Sequence, residues 1–282
     1  FSPVTAYEFE LLHLTQADGV LWATIDAPPI NVMTTALARD LSRLSRAVAA
    51  DDDVRAVVLQ SANPEFFIAH FDVGAILQFP TDAPPERKRE LTGFAKMCEL
   101  WRTMPKATMV KVAGRVGGGG AELAASCDMR FGVLDRTVIN QMEVPIGILP
   151  GGTGTQRLPR LLGRGRAMEV VLGGIDLDAA TAERWGWLNR AFPTVEQLDA
   201  HVDGLARRIA SFPPQAVRNA KAAVLAAEPD PLPGLLEEAY LFDQLVPRPD
   251  AREAMGRFLA AGGQTREGEL RVAELSAEIN RG

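Results

Sequence analysis

One stretch of the sequence, residues 109–128, restricts the fold more than any other. It runs from an apolar segment of strand character (109–113) through four consecutive glycines (117–120) into good helix formers (121–125). N–H groups at a helix start lack intrahelical partners, and the helix dipole adds positive potential there. Glycine also lets another molecule approach the backbone closely, so such a turn can hold an anionic oxygen. With Glu122 expected in the first helical turn, we predict an oxyanion hole beside an acid/base group.

The same stretch has other interpretations. A carboxylate in a first helical turn is stabilising by itself, and glycines before a helix often form only a tight packed turn, so a structural role stays open. A dinucleotide-binding loop is disfavoured, because the glycines are contiguous and no clear acidic residue ends the next strand candidate, 129–134. A Walker loop is excluded, because no Gly-Lys-Ser/Thr follows.

Composition limits the class of protein. The 282 residues are 47% hydrophobic and 23% charged, which is typical of a soluble globular protein with a substantial core. The formal net charge of −6 disfavours nucleic acid or an anionic membrane as a partner. Cys98 and Cys127 lack metal-ligand spacing and are expected to be reduced thiols, and we predict no metal site. There is neither an 18-residue apolar run nor a signal-peptide pattern, so we expect a cytoplasmic protein.

Strand and helix patterns alternate along the first two thirds of the chain. Asp18-Gly19 is a strong hairpin signal, a helix is predicted over 34–49, a buried strand over 54–60, and a long helical stretch over 84–104. After a Gly/Pro-rich loop at 140–157, helical patterns punctuated by prolines dominate from residue 195 onward. We therefore predict an α/β fold with a core domain over residues 1–200 and a helical oligomerisation region over residues 201–282.

Two motifs in fixed order carry a family resemblance. The first is Gly118-Gly119-Gly120-Ala121-Glu122, continuing to Asp128. The second is Gln141-Met142-Glu143-Val144, leading to Pro150-Gly151-Gly152 and then to Gly154-Thr155-Gln156-Arg157-Leu158. Together they resemble the crotonase superfamily, and specifically its enoyl-CoA hydratase/isomerase family, over most of residues 8–225.

The resemblance implies a fold and a ligand. The fold would be a crotonase-like spiral of ββα units with a C-terminal helical trimerisation region, assembled as a homotrimer or a dimer of trimers. The substrate would be an acyl-CoA thioester. Coenzyme A would then arrive as part of the substrate, and no separate cofactor is expected.

The resemblance also implies roles for individual residues. By position, the N–H groups of Phe71 and Gly119 would form the oxyanion hole, Glu122 and Glu143 would be the catalytic pair that holds a water, and the Gly151 N–H would help to position that water. Further substrate-binding positions would be Ile68, Ala69, Asp72, Val73 and Gly118.

The presence of both glutamates favours hydration of a 2-enoyl-CoA to a 3-hydroxyacyl-CoA. An enoyl-CoA isomerase or an acyl-CoA hydrolase on the same scaffold is the alternative. A non-catalytic oligomeric or RNA-associated member is a further alternative.

The sequence departs from the family pattern at two places near the site. His70 stands where the family usually has glycine, and its side chain either turns away from the pocket or takes part in catalysis. The segment at 28–31 lacks the basic residue that many members place near the CoA phosphates, which leaves Lys111 and Arg115 as substitutes. Family position suggests several apolar residues as pocket lining: Leu77, Phe79, Phe94, Met97 and Trp101.

Overall fold

The computed structural model describes the backbone of residues 2–3 and the whole of residues 8–281. Residues 1, 4–7 and 282, which the predicted domain ranges include, lie outside that description. The β-strands in the described part are β1 (Ser2–Pro3), β2 (Leu12–Ala17), β3 (Val20–Ile25), β4 (Ala56–Ser61), β5 (Phe66–Ile68), β6 (Ala107–Val112), β7 (Arg115–Gly117), β8 (Met129–Val133), β9 (Val138–Asn140), β10 (Leu177–Asp178) and β11 (Arg190–Phe192).

Helices connect and cover these strands. They are α1 (Thr35–Ala50), α2 (Val73–Ile76), α3 (Gly93–Thr103), α4 (Gly118–Ser126), α5 (Gly154–Leu162), α6 (Arg164–Gly173), α7 (Ala179–Trp185), α8 (Val195–Ala210), α9 (Pro214–Leu225), α10 (Leu232–Leu245), α11 (Pro249–Ala260), α12 (Arg266–Glu269) and α13 (Val272–Glu278), with a 3₁₀ turn at Val144–Ile146.

Within the described residues the strands form two sheets. The larger has seven strands in the order β1-β2-β3-β4-β6-β8-β11, and the smaller has four in the order β10-β9-β7-β5. From β3 to β11 every neighbouring pair in the larger sheet is parallel, whereas β1, β2 and β3 pair antiparallel. Parallel strands joined by helices confirm the predicted α/β class.

Helices cover both faces of the larger sheet. One face packs in a large apolar cluster that includes Leu41 of α1, Trp101 of α3 and Leu123 of α4. The other face packs against Leu198 and Val202 of α8. Because α8 spans residue 200 and belongs to this layer, the predicted boundary at that residue falls inside a sheet-packed helix.

Several local predictions are confirmed. The hairpin forms at Asp18-Gly19, with Ala17 paired to Val20 across the turn. The predicted helix at 34–49 is α1, with the Thr34 hydroxyl accepting from Leu37 N–H at 3.2 Å. The buried strand at 54–60 is β4.

The glycine stretch differs from the prediction of a simple turn. β7 precedes it, and α4 already begins at Gly118, so three of the glycines are helical and Glu122 lies beyond the first turn. A Cβ built on Gly120 would lie 2.5 Å from Ile68 Cβ, so the glycine face lets α4 pack directly on the last residue of β5. Every residue of α4 is buried, and this packing overrides the low helix propensity of glycine.

The predicted helix over 84–104 is also too long. Residues 84–92 have no helical structure, and α3 begins only after Thr92, whose hydroxyl accepts from Ala95 N–H at 3.2 Å. Pro84 and Pro85 disfavour helical geometry, and the charged residues that follow offer no apolar face to bury.

The C-terminal helices begin at prolines as predicted, at Pro214, next to Pro231 and at Pro249. Helices α11 and α13 pack with α2 and the 3₁₀ turn in a separate apolar cluster around Phe258 and Met255. This cluster brings the end of the chain next to the loop that follows β5. Among the described residues, no helix is both long and apolar enough to cross a membrane.

Candidate active site

Two backbone N–H groups lie side by side where α4 meets the loop after β5. Gly119 is in the first turn of α4, whose N-cap residue, Gly117, supplies no side-chain hydrogen bond. Phe71 forms an isolated parallel bridge with Met33 in which the flanking groups, His70 O and Asp72 N, make the hydrogen bonds. A Cβ built on Gly119 would lie 3.6 Å from Phe71 N, so the two donors are neighbours.

Gly118 fixes the approach of these two segments. Its φ of +43° belongs to the left-handed region that favours glycine. A Cβ there would lie 2.8 Å from His70 Cβ and 2.9 Å from Glu143 Oε1. A side chain at this position would therefore separate the α4 start from both residues.

Glu122 is held at the start of α5. Its Oε1 accepts hydrogen bonds from Gly152 N–H at 2.9 Å and Gly154 N–H at 2.8 Å. Burial raises the pKa of Glu122 to about 7, although these two N–H groups and Arg157 lower it in part. The carboxyl is thus fixed in place and titrates near neutrality.

Glu143 lies opposite, just before the 3₁₀ turn. Both of its carboxyl oxygens accept from the Gln141 side-chain amide, at 3.2 and 3.1 Å. Burial, followed by the negative charge of Glu122, raises the pKa of Glu143 to about 8. Of the two carboxyls, Glu143 holds its proton more strongly, and the pair can carry one proton between them at neutral pH.

Both glutamates face one cavity of about 840 Å³. Of the sequence-predicted residues, those on its wall are His70, Phe71, Val73, Phe79, Phe94, Met97, Gly119, Glu122, Glu143 and Gly151. The motif residues separated in sequence therefore meet at one mainly apolar pocket that carries the two glutamates and the two neighbouring backbone donors. Such a site suits acid/base chemistry on a carbonyl compound.

Comparisons with known proteins identify the family. The family model for enoyl-CoA hydratase/isomerase matches residues 15–264. A probable enoyl-CoA hydratase of Rhizobium meliloti is 33% identical over 260 residues, covering 90% of this chain and 96% of that protein. The chain belongs to the enoyl-CoA hydratase/isomerase family.

A solved structure and a second sequence relative agree with that membership. The crystal structure of a putative enoyl-CoA hydratase from Streptomyces avermitilis is 36% identical, with a TM-score of 0.88 over 98% of this chain and 100% of that one. A probable enoyl-CoA hydratase of Mycobacterium tuberculosis is 31% identical over 255 residues, 90% of this chain and 95% of that protein. The predicted crotonase-like fold and the resemblance are both confirmed.

Four positions that the family pattern suggests for substrate binding do not line the cavity: Ile68, Ala69, Asp72 and Gly118. Ile68 packs on α4, and Asp72 caps α2 by accepting from Gly74 N–H at 2.9 Å. Leu77 and Trp101 are likewise absent from the wall, and Trp101 is core. These residues lie in the elements around the cavity and not on its wall.

The suggested substitutes for a phosphate-binding residue have other partners. Lys111 Nζ pairs with Asp199 at 2.9 Å and Asp203 at 2.7 Å, and Arg115 pairs with Asp176 at 2.6 Å. In the described part of the chain, no group of three or more His, Cys, Asp or Glu residues could hold a metal ion.

Glu238 of α10 is a buried carboxyl that sequence reasoning missed. Its Oε2 accepts from Thr155 N–H at 3.0 Å and from the Thr155 hydroxyl. Burial and then the charge of Glu122 raise the pKa of Glu238 well above its usual range. Glu122 and Glu238 therefore share the positive end of α5.

The His70 ring lies between the cavity wall and the C-terminal segment. The ring is 1% exposed and contacts Glu269 of α12, which is 2% exposed. The sequence predicted neither this partner nor any contact between α12 and the loop that joins β5 to α2. This loop, residues 69–72, is called the oxyanion loop below, after its expected donor Phe71.

Proposed function

We propose that the protein hydrates a 2-enoyl-CoA to a 3-hydroxyacyl-CoA. Family membership supports an enzyme acting on acyl-CoA thioesters. The observation that carries the finer proposal is the burial of Glu122 and Glu143 on one cavity wall beside the N–H groups of Phe71 and Gly119. A single acid/base group would suffice for moving a double bond, whereas adding water uses two.

The two donors would bind the thioester oxygen. When water adds at Cβ, negative charge develops on that oxygen, and preorganised N–H groups stabilise it more than the ground state. Loss of one such donor typically costs about 10² to 10³ in rate.

The glutamates would divide the proton transfers. Glu122, whose Oε1 is bound by two N–H groups, is the better carboxylate and would take a proton from the water. Glu143, whose pKa is raised further, would deliver a proton to Cα. Hydroxide adds at Cβ and a proton adds at Cα. Glu143 carries the proton of the pair before the reaction, and Glu122 carries it afterwards.

Gly151 would help to hold the attacking water. It lies on the cavity wall beside Phe242, which a Cβ at Gly151 would approach to 2.5 Å. Only glycine fits under that ring. Its N–H would donate a hydrogen bond to the water.

Residues at the cavity suit the rest of an acyl-CoA. Phe79, Phe94 and Met97 would contact the acyl chain, and Arg39 of the lining would supply positive charge for the phosphates, since Lys88 already pairs with Asp243 at 2.6 Å. Coenzyme A would enter only as part of the substrate. No separate cofactor takes part in this scheme.

The proposal is tested by offering three thioesters to the purified protein. Loss of the conjugated enone absorbance of crotonyl-CoA, with 3-hydroxybutyryl-CoA as product, is the expected result. Gain of that absorbance from a 3-enoyl-CoA would favour the isomerase, and release of free thiol from a saturated acyl-CoA would favour the hydrolase. No turnover of any of them would favour a non-catalytic member.

We also propose a homotrimer or a dimer of trimers. Apolar side chains stay exposed on the C-terminal helices, with Val224 at 72% and Leu232 at 42%, and α9 buries none of its residues in a single chain. Light scattering should give three or six times 30.4 kDa. A 30.4 kDa species at micromolar concentration would contradict the assembly.

A further inference from the structure

We propose that His70 and Glu269 form a positioning pair that holds the oxyanion loop from the C-terminal end of the chain and places a fixed positive charge beside Glu143. This inference deepens the proposed function and rests on it. It concerns a histidine that stands where the family pattern has glycine.

Hydrogen-bond partners assign the charge. His70 Nδ1 lies 2.7 Å from the carbonyl oxygen of Phe71, which can only accept, so this nitrogen carries a hydrogen. His70 Nε2 lies 3.0 Å from Glu269 Oε1, and the same oxygen accepts from Gln264 N–H at 2.8 Å. We infer that Glu269 is a carboxylate, because its oxygen already accepts from Gln264 N–H; Nε2 then donates to it, and the ring is an imidazolium.

The electrostatics agree with that assignment. Burial lowers the pKa of His70, but the Glu269 carboxylate outweighs it and the pKa is raised overall. Burial raises the pKa of Glu269, and His70 reverses this so that it is lowered. The remaining neighbours are Glu143, whose charge acts on His70, Arg115, whose charge acts on Glu269, and the uncharged Phe258 ring, 5.8 Å from the imidazole centroid.

The same C-terminal segment binds the loop at further points. Gln264 Oε1 accepts from Val73 N–H at 2.6 Å, and its Nε2 donates to Asp72 Oδ1 at 3.1 Å. Together with the His70 bond to Phe71 O, these contacts fix the backbone on the C-terminal side of the Phe71 donor. The loop is thereby held from a segment far along the chain.

The charge also reaches the reacting groups. His70 Cβ and Glu143 Oε1 flank the same space beside Gly118, at 2.8 and 2.9 Å from an added Cβ. A cation there favours the ionised form of Glu143 and opposes the combined effect of burial and Glu122. The pair would therefore keep Glu143 able to exchange its proton near neutral pH.

Imidazole NMR tests the charge without any activity. The chain has three histidines. Burial lowers the pKa of His201, so we expect it to lose its proton at lower pH than His70. We expect the His70 ring, identified by its loss in His70→Gln, to keep both ring protons after His201 has titrated. A His70 ring that is neutral at pH 7 would overturn the assigned charge.

Kinetics test the positioning. The double variant His70→Gln/Glu269→Gln replaces the ion pair by two amides of similar reach and should fold. We expect its kcat to fall by about 10- to 100-fold with a far smaller change in KM, and the Glu143 limb of its pH profile to move to higher pH. Glu65→Gln, which breaks the exposed contact between Glu65 and Arg266 of the same segment, is the matched control. It should leave kcat and the pH profile unchanged.

The two proposals fail separately. If the wild type catalyses isomerisation or hydrolysis instead of hydration, the hydratase reading fails, and the variants are measured on the activity found. If the double variant keeps wild-type kcat and pH profile, the positioning pair is overturned whatever the reaction is. If the protein has no activity, the NMR result alone decides the charge.

Discussion

Two regions of the molecule differ in how far along the chain their contacts reach. One is the motif region around Glu122, and the other is the C-terminal segment 264–269. Glu122 of α4 accepts hydrogen bonds from the N–H groups of Gly152 and Gly154, which lie 30 and 32 residues away at and just before the start of α5. The C-terminal segment 264–269 contacts the oxyanion loop across 199 residues at His70 and 191 residues at Val73. The first region is visible as a sequence motif because its parts lie close together. The second is a product of tertiary packing.

The largest effect on kcat is expected from substitution of the two glutamates. General acid/base groups contribute about 10² to 10⁴ each, so Glu122→Gln and Glu143→Gln should each lower kcat for hydration by that factor with little change in binding. Because both act on one water, the double variant should lose much less than the product of the single effects. Steady-state kinetics with crotonyl-CoA measure this.

Each alternative outcome has a meaning. If Glu143→Gln is inactive while Glu122→Gln stays active, the protein is an isomerase-type member with a single acid/base. If neither matters, the hydratase proposal is wrong.

The next largest effect is expected at the α4 start. Gly119→Pro removes the N–H donor at a first-turn position where proline is tolerated, and kcat should fall by about 10² to 10³. Gly119→Ala keeps the donor but brings a Cβ to 3.1 Å from Phe94 Cζ, and it controls for crowding. Circular dichroism checks that both fold. Equal activity of the proline variant and the wild type would remove Gly119 from the oxyanion hole.

A smaller effect concerns pH and stability. The folded-state pKa of Glu143 is raised. Its contribution to the free energy of unfolding is therefore fully present below the unfolded pKa of about 4.5 and is lost as pH rises toward 8. Stability should fall by at most about 1.4 kcal/mol per pH unit from this group in that window, and Glu143→Gln should make the fall shallower. Denaturant unfolding at pH 5 and pH 8 measures the difference. Parallel pH profiles for variant and wild type would contradict it.

The smallest effect, on stability, is expected at Glu238 of α10, which contacts Thr155 at the start of α5. Burial, followed by the charge of Glu122, raises the pKa of Glu238 well above its usual range and so favours the neutral form, and Glu238→Gln should change stability little. Glu238→Ala removes the acceptor of Thr155 N–H and should cost about 0.5 to 2 kcal/mol. Thermal unfolding distinguishes the two. A strongly destabilised glutamine variant would show that the carboxyl is ionised.

The sequence was informative wherever a signal is local. Asp18-Gly19 alone is enough for the hairpin, because few residue pairs adopt that turn. The glycine stretch predicted Gly119 and Glu122, the family resemblance added Glu143, and the structure brings all three to one cavity. The helix start was misjudged, because burial against Ile68 outweighs the propensity of glycine.

Contacts that depend on packing could not be read from the sequence. Glu238 stands in a mostly apolar helical pattern and carries no mark of its partner in α5. Gln264 and Glu269 lie in a polar stretch of the kind usually exposed. The one available signal was His70 itself, since a histidine in place of glycine at a buried loop needs a partner.

The bond between His70 and Glu269 sets an order of events during synthesis. The histidine is made 199 residues before its carboxylate. At typical translation rates of about 5–20 residues per second, that interval is roughly 10 to 40 s. Throughout it the loop that carries Phe71 has no counter-ion from α12, so its final form can be reached only after α12 has left the ribosome.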